Sequence, residues 1–150
     1  MVTLHVVPVD VTASPALHPC DWVTEDQAAK FLGVSSTSAT PTGDESGSAE
    51  PFCSYRSDSH FVTSQLSLPA SFAVDAQTEL NMLAAGGHGN DVTGLPGRDY
   101  CAATQSDGKT STTMQVLLGG NRLYQALGWN GESCDTLKQF AQTAIPRIGS

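Results

Sequence analysis

This sequence of 150 residues has few basic side chains and no long apolar run. Its seven Lys and Arg residues are scattered singly against 15 Asp and Glu residues, which gives a formal net charge of -8. Because the sequence has no row of basic side chains that could bind a phosphate backbone, nucleic acid is a poor partner. An anionic membrane surface would repel the chain. No apolar run approaches the roughly 20 residues of a membrane-spanning helix, so we expect no transmembrane segment here.

Signatures of catalysis and metal binding are also missing. The four histidines lie in four separate segments, at His5, His18, His60 and His88. They show no His-x-x-x-His spacing, and we expect no metal and no cofactor. The Gly-x-Ser-x-Gly elbow of a serine hydrolase does not occur, although His88 and Asp91 share a glycine-rich loop. We therefore predict no catalytic residue.

The N-terminal segment lacks the features of a signal peptide. It has no basic region, and Pro8 and Asp10 interrupt its apolar stretch. Prolines forbid a helix, so we expect residues 1–19 to be extended, with "LHVVPV" as an edge strand. Pro19 stands before Cys20, where a lipid-anchored chain needs a small residue. We expect any export signal or anchor to lie outside this chain.

The four cysteines are Cys20, Cys53, Cys101 and Cys134, and none forms a Cys-x-x-Cys pair. That spacing argues against a zinc ribbon and a thioredoxin-like site. Three connectivities are formally possible, and four free thiols in a cytosolic protein are the alternative. Cys20 and Cys134 each precede a predicted helix, whereas Cys53 and Cys101 each lie in a predicted strand. We predict Cys20–Cys53 and Cys101–Cys134, which implies an oxidising compartment.

Helix and strand signals are clear in the first half of the chain. Thr24 and Gln27 form a capping box for a first helix, and Gly33 suits its C-terminal stop. Residues 35–50 are rich in Ser, Thr and Gly, which predicts a mobile polar loop. "FCSYR" and "FVTSQLSL" flank the turn at residues 57–60 and predict a hairpin.

The second half predicts a helix over 71–85, strands over 98–105, 110–118 and 121–129, and a final helix over 134–145. No alternating strand–helix–strand pattern appears. The fold class is therefore α+β, with an antiparallel sheet of about five strands, helices packed against it and two disulfides. We expect a single disulfide-linked domain over residues 20–150.

Two short motifs carry a resemblance to a known group of proteins. Cys20 followed by "WVTEDQAAKFLG", a Ser/Gly-rich loop and "FCSY" resembles the openings of actinobacterial (mycobacterial-type) cell-envelope lipoproteins of unknown function. "VTGLPGRDYC" is similar to their Gly-Leu-Gly…Ala-Tyr segment, although Arg98 and Asp99 replace small residues. The order of elements is also similar to the PknH-type extracellular sensor domain. The resemblance covers residues 20–145 in outline and implies an exported, envelope-associated domain, with no particular reaction.

Aromatic side chains in the predicted C-terminal strands are the candidate ligand-binding residues. Tyr100, Tyr124 and Trp129 are assigned to this role, with His88 in a loop over 86–97 at the rim. In the predicted strand over 121–129, alternation puts four side chains on one face of the sheet: Leu123, Gln125, Leu127 and Trp129. It puts Arg122, Tyr124 and Ala126 on the other face. One face must pack against the helices and the other stays partly open. The alternative is that the large aromatics pack in the core.

These observations predict an extracytoplasmic, non-enzymatic, sensor-like domain of the cell envelope that binds a ligand or partner. An envelope lipid, a glycan or a protein is the expected partner. A secreted hydrolase that acts on envelope material is one alternative. A structural or inhibitory secreted protein, acting through loops 35–50 or 86–97, is the other.

Overall fold

The computed structural model describes residues 17–86 and 89–149, so the expected N-terminal edge strand lies outside the described residues. The helices of this part are α1 (Glu25–Leu32), α2 (Ala76–Ala85) and α3 (Cys134–Ile148). The strands are β1 (Ser38–Thr42), β2 (Phe52–Arg56), β3 (Phe61–Ser67), β4 (Gly89–Asn90), β5 (Asp99–Ser106), β6 (Lys109–Leu118) and β7 (Arg122–Gly128). None of the described helices has the length and apolar character needed to cross a membrane.

The strands form one antiparallel sheet in the order β1-β2-β3-β7-β6-β5-β4. The α+β class is confirmed, but the expectation of about five strands is wrong, because the sheet has seven. Both additional strands lie at the edges of the sheet. β1 falls inside the 35–50 tract and pairs with β2 in the register Pro41↔Cys53. Backbone pairing with β2 is the main support of this five-residue strand, since its side chains bury little apolar surface apart from Ala39.

Helix α1 begins and ends as its sequence predicts. Thr24 Oγ1 accepts from Gln27 N at 3.1 Å, and Gln27 Oε1 accepts from Thr24 N at 3.0 Å, which completes the capping box. Gly33 follows the helix with a φ of 71°, a left-handed conformation that favours glycine. The chain therefore leaves α1 in a fixed direction toward β1.

The other two helices differ from their predicted bounds. α2 begins at Ala76 instead of residue 71, because Asp75 caps it by accepting from Thr78 N, and Pro69–Ser71 form a separate 3₁₀ turn. α3 continues through Pro146 to Ile148. Arg147 anchors this last turn, since its Nη1 donates to Trp22 O at 2.8 Å.

Both predicted disulfides are confirmed. Cys20 bonds Cys53 with an S–S distance of 2.09 Å, and Cys101 bonds Cys134 at 2.03 Å. Each bond links the start of a helical segment to a strand, as predicted. The pairs are compatible with an extracellular location.

The two faces of the sheet are covered unequally. On one face α1 and α3 pack over the main core. There the centroid of the Phe140 ring lies 5.3 Å from that of Phe31 and 5.5 Å from that of Tyr55. On the other face α2 packs over β5 and β6 and covers a smaller cluster that includes Leu80 and Tyr100. The remaining part of that second face, formed by β2, β3 and β7, keeps partly exposed side chains. We call this part the open half-face.

Candidate functional site

Tyr124 lies inside the main core. It is fully buried, and its hydroxyl is 2.7 Å from Ser64 Oγ. Burial raises the pKa of Tyr124 well above its usual range, against a smaller opposing effect of the Ser64 hydrogen bond. The phenol is neutral at physiological pH and serves as a structural hydrogen-bonding group.

The other sequence-predicted residues are dispersed over the sheet. Tyr100 lies under α2, only 8% exposed, and its hydroxyl accepts from Gly89 N at 3.0 Å. Trp129 follows β7 and is 41% exposed. Tyr100, Tyr124 and Trp129 therefore do not line one cleft. His88 lies outside the described residues, and the part of its loop that is described lies at the β4–β5 edge of the sheet.

Trp129 is at the end of the open half-face, and two neighbours extend it into a row. Its ring stacks on Phe61, with centroids 5.9 Å apart and planes inclined by 24°. Arg56 pairs with Phe61 across β2 and β3, and its guanidinium carbon lies 4.0 Å from the centre of the Phe61 ring. Such a cation–π contact holds the arginine against the aromatic surface. We call these three residues the aromatic row.

A cleft of 630 Å³ adjoins the aromatic row, between the α1–β1 connection and the β2–β3 turn. Six hydroxyl side chains line it: Ser35, Ser36, Thr37, Ser38, Ser57 and Ser59. Arg56 and Asp58 supply the charged groups of the lining. Arg56 belongs to both features, so the cleft and the aromatic row form one continuous surface.

The walls of the cleft are held by hydrogen bonds from outside it. Glu25, in the first turn of α1, accepts from Ala39 N with its carboxylate and from the Thr37 hydroxyl with its carbonyl, both at 2.8 Å. Across the cleft, Ser57 Oγ accepts from His60 N at 3.0 Å and closes the turn. These contacts hold the hydroxyl groups of Thr37 and Ser57 and the backbone of both walls in place before binding, which lowers the entropy cost of binding.

Glutamine side chains continue the polar character of this face toward α2. Gln65, Gln125 and Gln115 are direct cross-strand neighbours. Gln115 Nε2 donates to Gln125 Oε1 at 2.8 Å, while Gln115 Oε1 is buried without a hydrogen-bond partner in the described chain. Among the side chains of β2, β3 and β7 on this face, Arg56 is the charged one.

The buried side chain of Glu132 holds the backbone next to the aromatic row in place by hydrogen bonds. Its carboxylate accepts from Phe61 N at 3.2 Å and from Asn130 N at 2.8 Å, so it holds the backbone on both sides of the Phe61–Trp129 stack. It also lies 3.0 Å from His60 Nδ1. Gly128 leaves the space that this side chain occupies, because a Cβ there would lie 2.6 Å from Glu132 Oε1. Glu132 is a positioning residue for the row.

Sequence reasoning missed Arg56, Phe61 and the hydroxyl groups of the cleft. One signal was present, since Arg56 and Phe61 flank the four-residue turn of a predicted hairpin and must therefore lie opposite each other. The α1–β1 wall had no such signal, because its tract is uniformly polar.

Comparisons of the chain with protein-family models, curated proteins and solved structures find no match. In the two ranges that the structure describes, no three His, Cys, Asp or Glu side chains gather as a metal-ligand set. The surface formed by the cleft and the aromatic row is therefore the candidate site on which a function is argued.

Proposed function

We propose that this chain is an extracytoplasmic, non-enzymatic binding domain of the cell envelope, with a sensor-like role. It binds its ligand or partner on the open half-face, at the cleft and the aromatic row. The two disulfides support placement in an oxidising compartment. The resemblance of the Cys20 and "FCSY" segments to envelope lipoproteins supports the same placement.

One observation carries this proposal: Arg56 and Phe61 connect the 630 Å³ cleft to the exposed Trp129 ring, because Arg56 lines the cleft and lies against Phe61, on which Trp129 stacks. Ligand sites combine concave volume, aromatic surface and a few placed polar groups, and all three occur together here. The walls are held by Glu25 and the Ser57 turn, so the surface is formed before any ligand arrives.

The two tryptophans allow a direct test by fluorescence. Trp22 is 6% exposed in the core, whereas Trp129 is 41% exposed at the candidate site. Titrating the oxidised protein with envelope glycans, lipid vesicles and peptides should change the emission of Trp129 in a saturable way with one of these classes. A Trp22→Phe variant should keep the response and a Trp129→Phe variant should lose it. The proposal fails if no class changes Trp129 emission.

A secreted hydrolase is the second candidate, and the His60–Glu132 pair is the observation that favours it. A carboxylate 3.0 Å from Nδ1 orients an imidazole as in a base–orienter pair, and Ser57 lies in the same turn. The same titration samples should therefore be analysed for cleaved ester, peptide and glycan products. Turnover that a His60→Gln variant abolishes would establish the hydrolase and overturn the binding domain.

A further inference from the structure

We propose that the ligand of the open half-face is an uncharged saccharide chain, with one sugar ring on Trp129 and the following sugars along Arg56 into the hydroxyl-lined cleft. This inference rests on the proposed binding function and specifies its ligand class. It is drawn from the chemistry of the aromatic row and of the cleft lining.

The aromatic row provides the apolar part of such a site. One side of the Trp129 ring stacks on Phe61, while 41% of the residue remains exposed. The π face of a neutral indole has a partial negative potential from its quadrupole, which attracts the weakly positive C–H groups on the flat side of a sugar ring. Phe61 and the Glu132 hydrogen bonds keep the indole in place, so little side-chain entropy is lost on binding.

The cleft provides the polar part. Each of its six hydroxyl side chains is both donor and acceptor, and the hydroxyl groups of a sugar have the same dual character. Four of the hydroxyl groups, those of Ser35, Ser36, Ser38 and Ser59, are on solvent-exposed residues. An acyl chain over them would displace their water and offer no hydrogen bond in return, which costs free energy. The lining therefore matches a hydroxyl-rich ligand and disfavours a lipid tail.

The charges of the site favour an uncharged ligand. Arg56 is the cation of the cleft lining, and Asp58 lies in the same lining and would repel an anion. The whole chain carries a net charge of -8, which adds a long-range repulsion toward polyanions. Arg56 provides hydrogen-bond donors and Asp58 provides acceptors for neutral hydroxyl groups.

The size and continuity of the surface fit more than one sugar unit. The cleft of 630 Å³ lies within the range of about 300–1,000 Å³ that ligand sites occupy. Trp129 lies outside the cleft. Phe61 separates the Trp129 ring from Arg56, and Arg56 lines the cleft. A single sugar would contact either the ring or the cleft, whereas a chain contacts both.

Isothermal titration calorimetry with neutral hexasaccharides tests this inference. The probes are maltohexaose, cellohexaose and chitohexaose, each added to 10 mM to the oxidised protein. We expect at least one to bind with a dissociation constant below about 1 mM. The Trp129→Ala variant should weaken that binding at least tenfold, and Arg56→Ala several-fold, with Trp129→Tyr restoring part of the affinity. Val74→Ala is the matched control, because Val74 is 72% exposed elsewhere on the molecule.

The outcomes separate this inference from the proposed function. If no hexasaccharide binds but phosphatidylglycerol vesicles or a peptide mixture change Trp129 emission, the saccharide assignment is wrong and the binding function stands. If no probe of any class affects Trp129, both are wrong. If a hexasaccharide binds equally well to the Trp129→Ala and Arg56→Ala variants, the sugar site lies elsewhere and the inference is overturned. Far-UV circular dichroism of each variant confirms that it is folded.

Discussion

Glu132 is the side chain on which the geometry of the aromatic row depends most. Its side chain is 1% exposed, and its carboxylate accepts from the backbone N–H groups of Phe61 and Asn130 while also contacting His60. Glu132→Ala leaves those donors without their acceptor, and we expect the free energy of unfolding to fall by about 3 kcal/mol. Urea denaturation measures this loss, with the exposed Glu50→Ala as the control. A loss no larger than that of Glu50→Ala would contradict the positioning role.

Asp99 gives the molecule a predictable dependence on pH. Burial raises the pKa of its carboxyl group above the ordinary value of 3.8, although the hydrogen bond from Val92 N opposes this. The native state therefore holds this proton to higher pH than the unfolded state, so the contribution of Asp99 to stability falls as pH rises through the raised pKa. At pH values above the raised pKa, the ionised and desolvated carboxylate lowers the free energy of unfolding by an amount that no longer changes with pH.

The Asp99→Asn substitution removes that penalty and keeps an oxygen that can accept from Val92 N. We expect the variant to be more stable than the parent at pH 7, and the difference to vanish below pH 3.8. Urea denaturation at pH 7 and at pH 3 measures both values, with the exposed Asp58→Asn as the control. A variant less stable than the parent at pH 7 but equally stable at pH 3 would contradict this expectation, because it would show that the hydrogen bond to the charged oxygen outweighs its desolvation.

The sequence predicted which face of the sheet a side chain lies on, but not whether that face is covered by helices. Strand alternation correctly placed Trp129 and Tyr124 on opposite faces, but it does not say which face the helices cover. Tyr124 lies on the covered face because α1 and α3 pack there, and Tyr100 is covered because α2 lies over β5. These are tertiary contacts, which no local pattern in the chain reveals.

At the scale of elements, β1 is the strand on which the cleft depends. Its five residues pair with β2, yet their side chains are mostly exposed, so the alternation that marks a half-buried strand is missing. The capping box of α1 and the β2–β3 hairpin were predictable because their signals are local. β1 was not predictable, because what holds it in place is non-local: pairing with β2, the Glu25 carboxylate and the packing of Ala39 on the main core.

The hydrogen bond between Glu25 and Ala39 N should affect the local stability of β1 but not the global stability of the protein. Glu25→Ala removes the acceptor of Ala39 N, and we expect amide hydrogen exchange across Ser38–Thr42 to accelerate about tenfold or more. The free energy of unfolding should fall by no more than about 1 kcal/mol, because the hydrogen bond is exposed. Exchange read by NMR tests this, with Asp26→Ala in the same helical turn as the control. Unchanged exchange in β1 would mean that pairing with β2 alone holds the wall.

At the scale of the whole molecule, the two disulfides hold opposite parts of the sheet. Cys20–Cys53 fixes β2 near the candidate site, and Cys101–Cys134 fixes β5 to α3, each across 33 positions. Removing either one as a pair of alanines should lower the free energy of unfolding by about 3–4 kcal/mol. Of the two, we expect only the Cys20→Ala/Cys53→Ala variant to weaken binding at the cleft. Equal loss of binding in both variants would mean that the site depends on global stability alone.

The measurement that tests the binding account most directly is a chemical-shift map of the whole chain. A ¹⁵N-labelled, oxidised sample is titrated with the hexasaccharide of highest affinity, and every resolved amide is followed. We predict shifts concentrated at the aromatic row and at the two cleft walls, residues 34–38 and 56–61, together with the indole N–H of Trp129. Shifts concentrated instead around α2 or residues 89–97, with the Trp129 signal unchanged, would contradict the account.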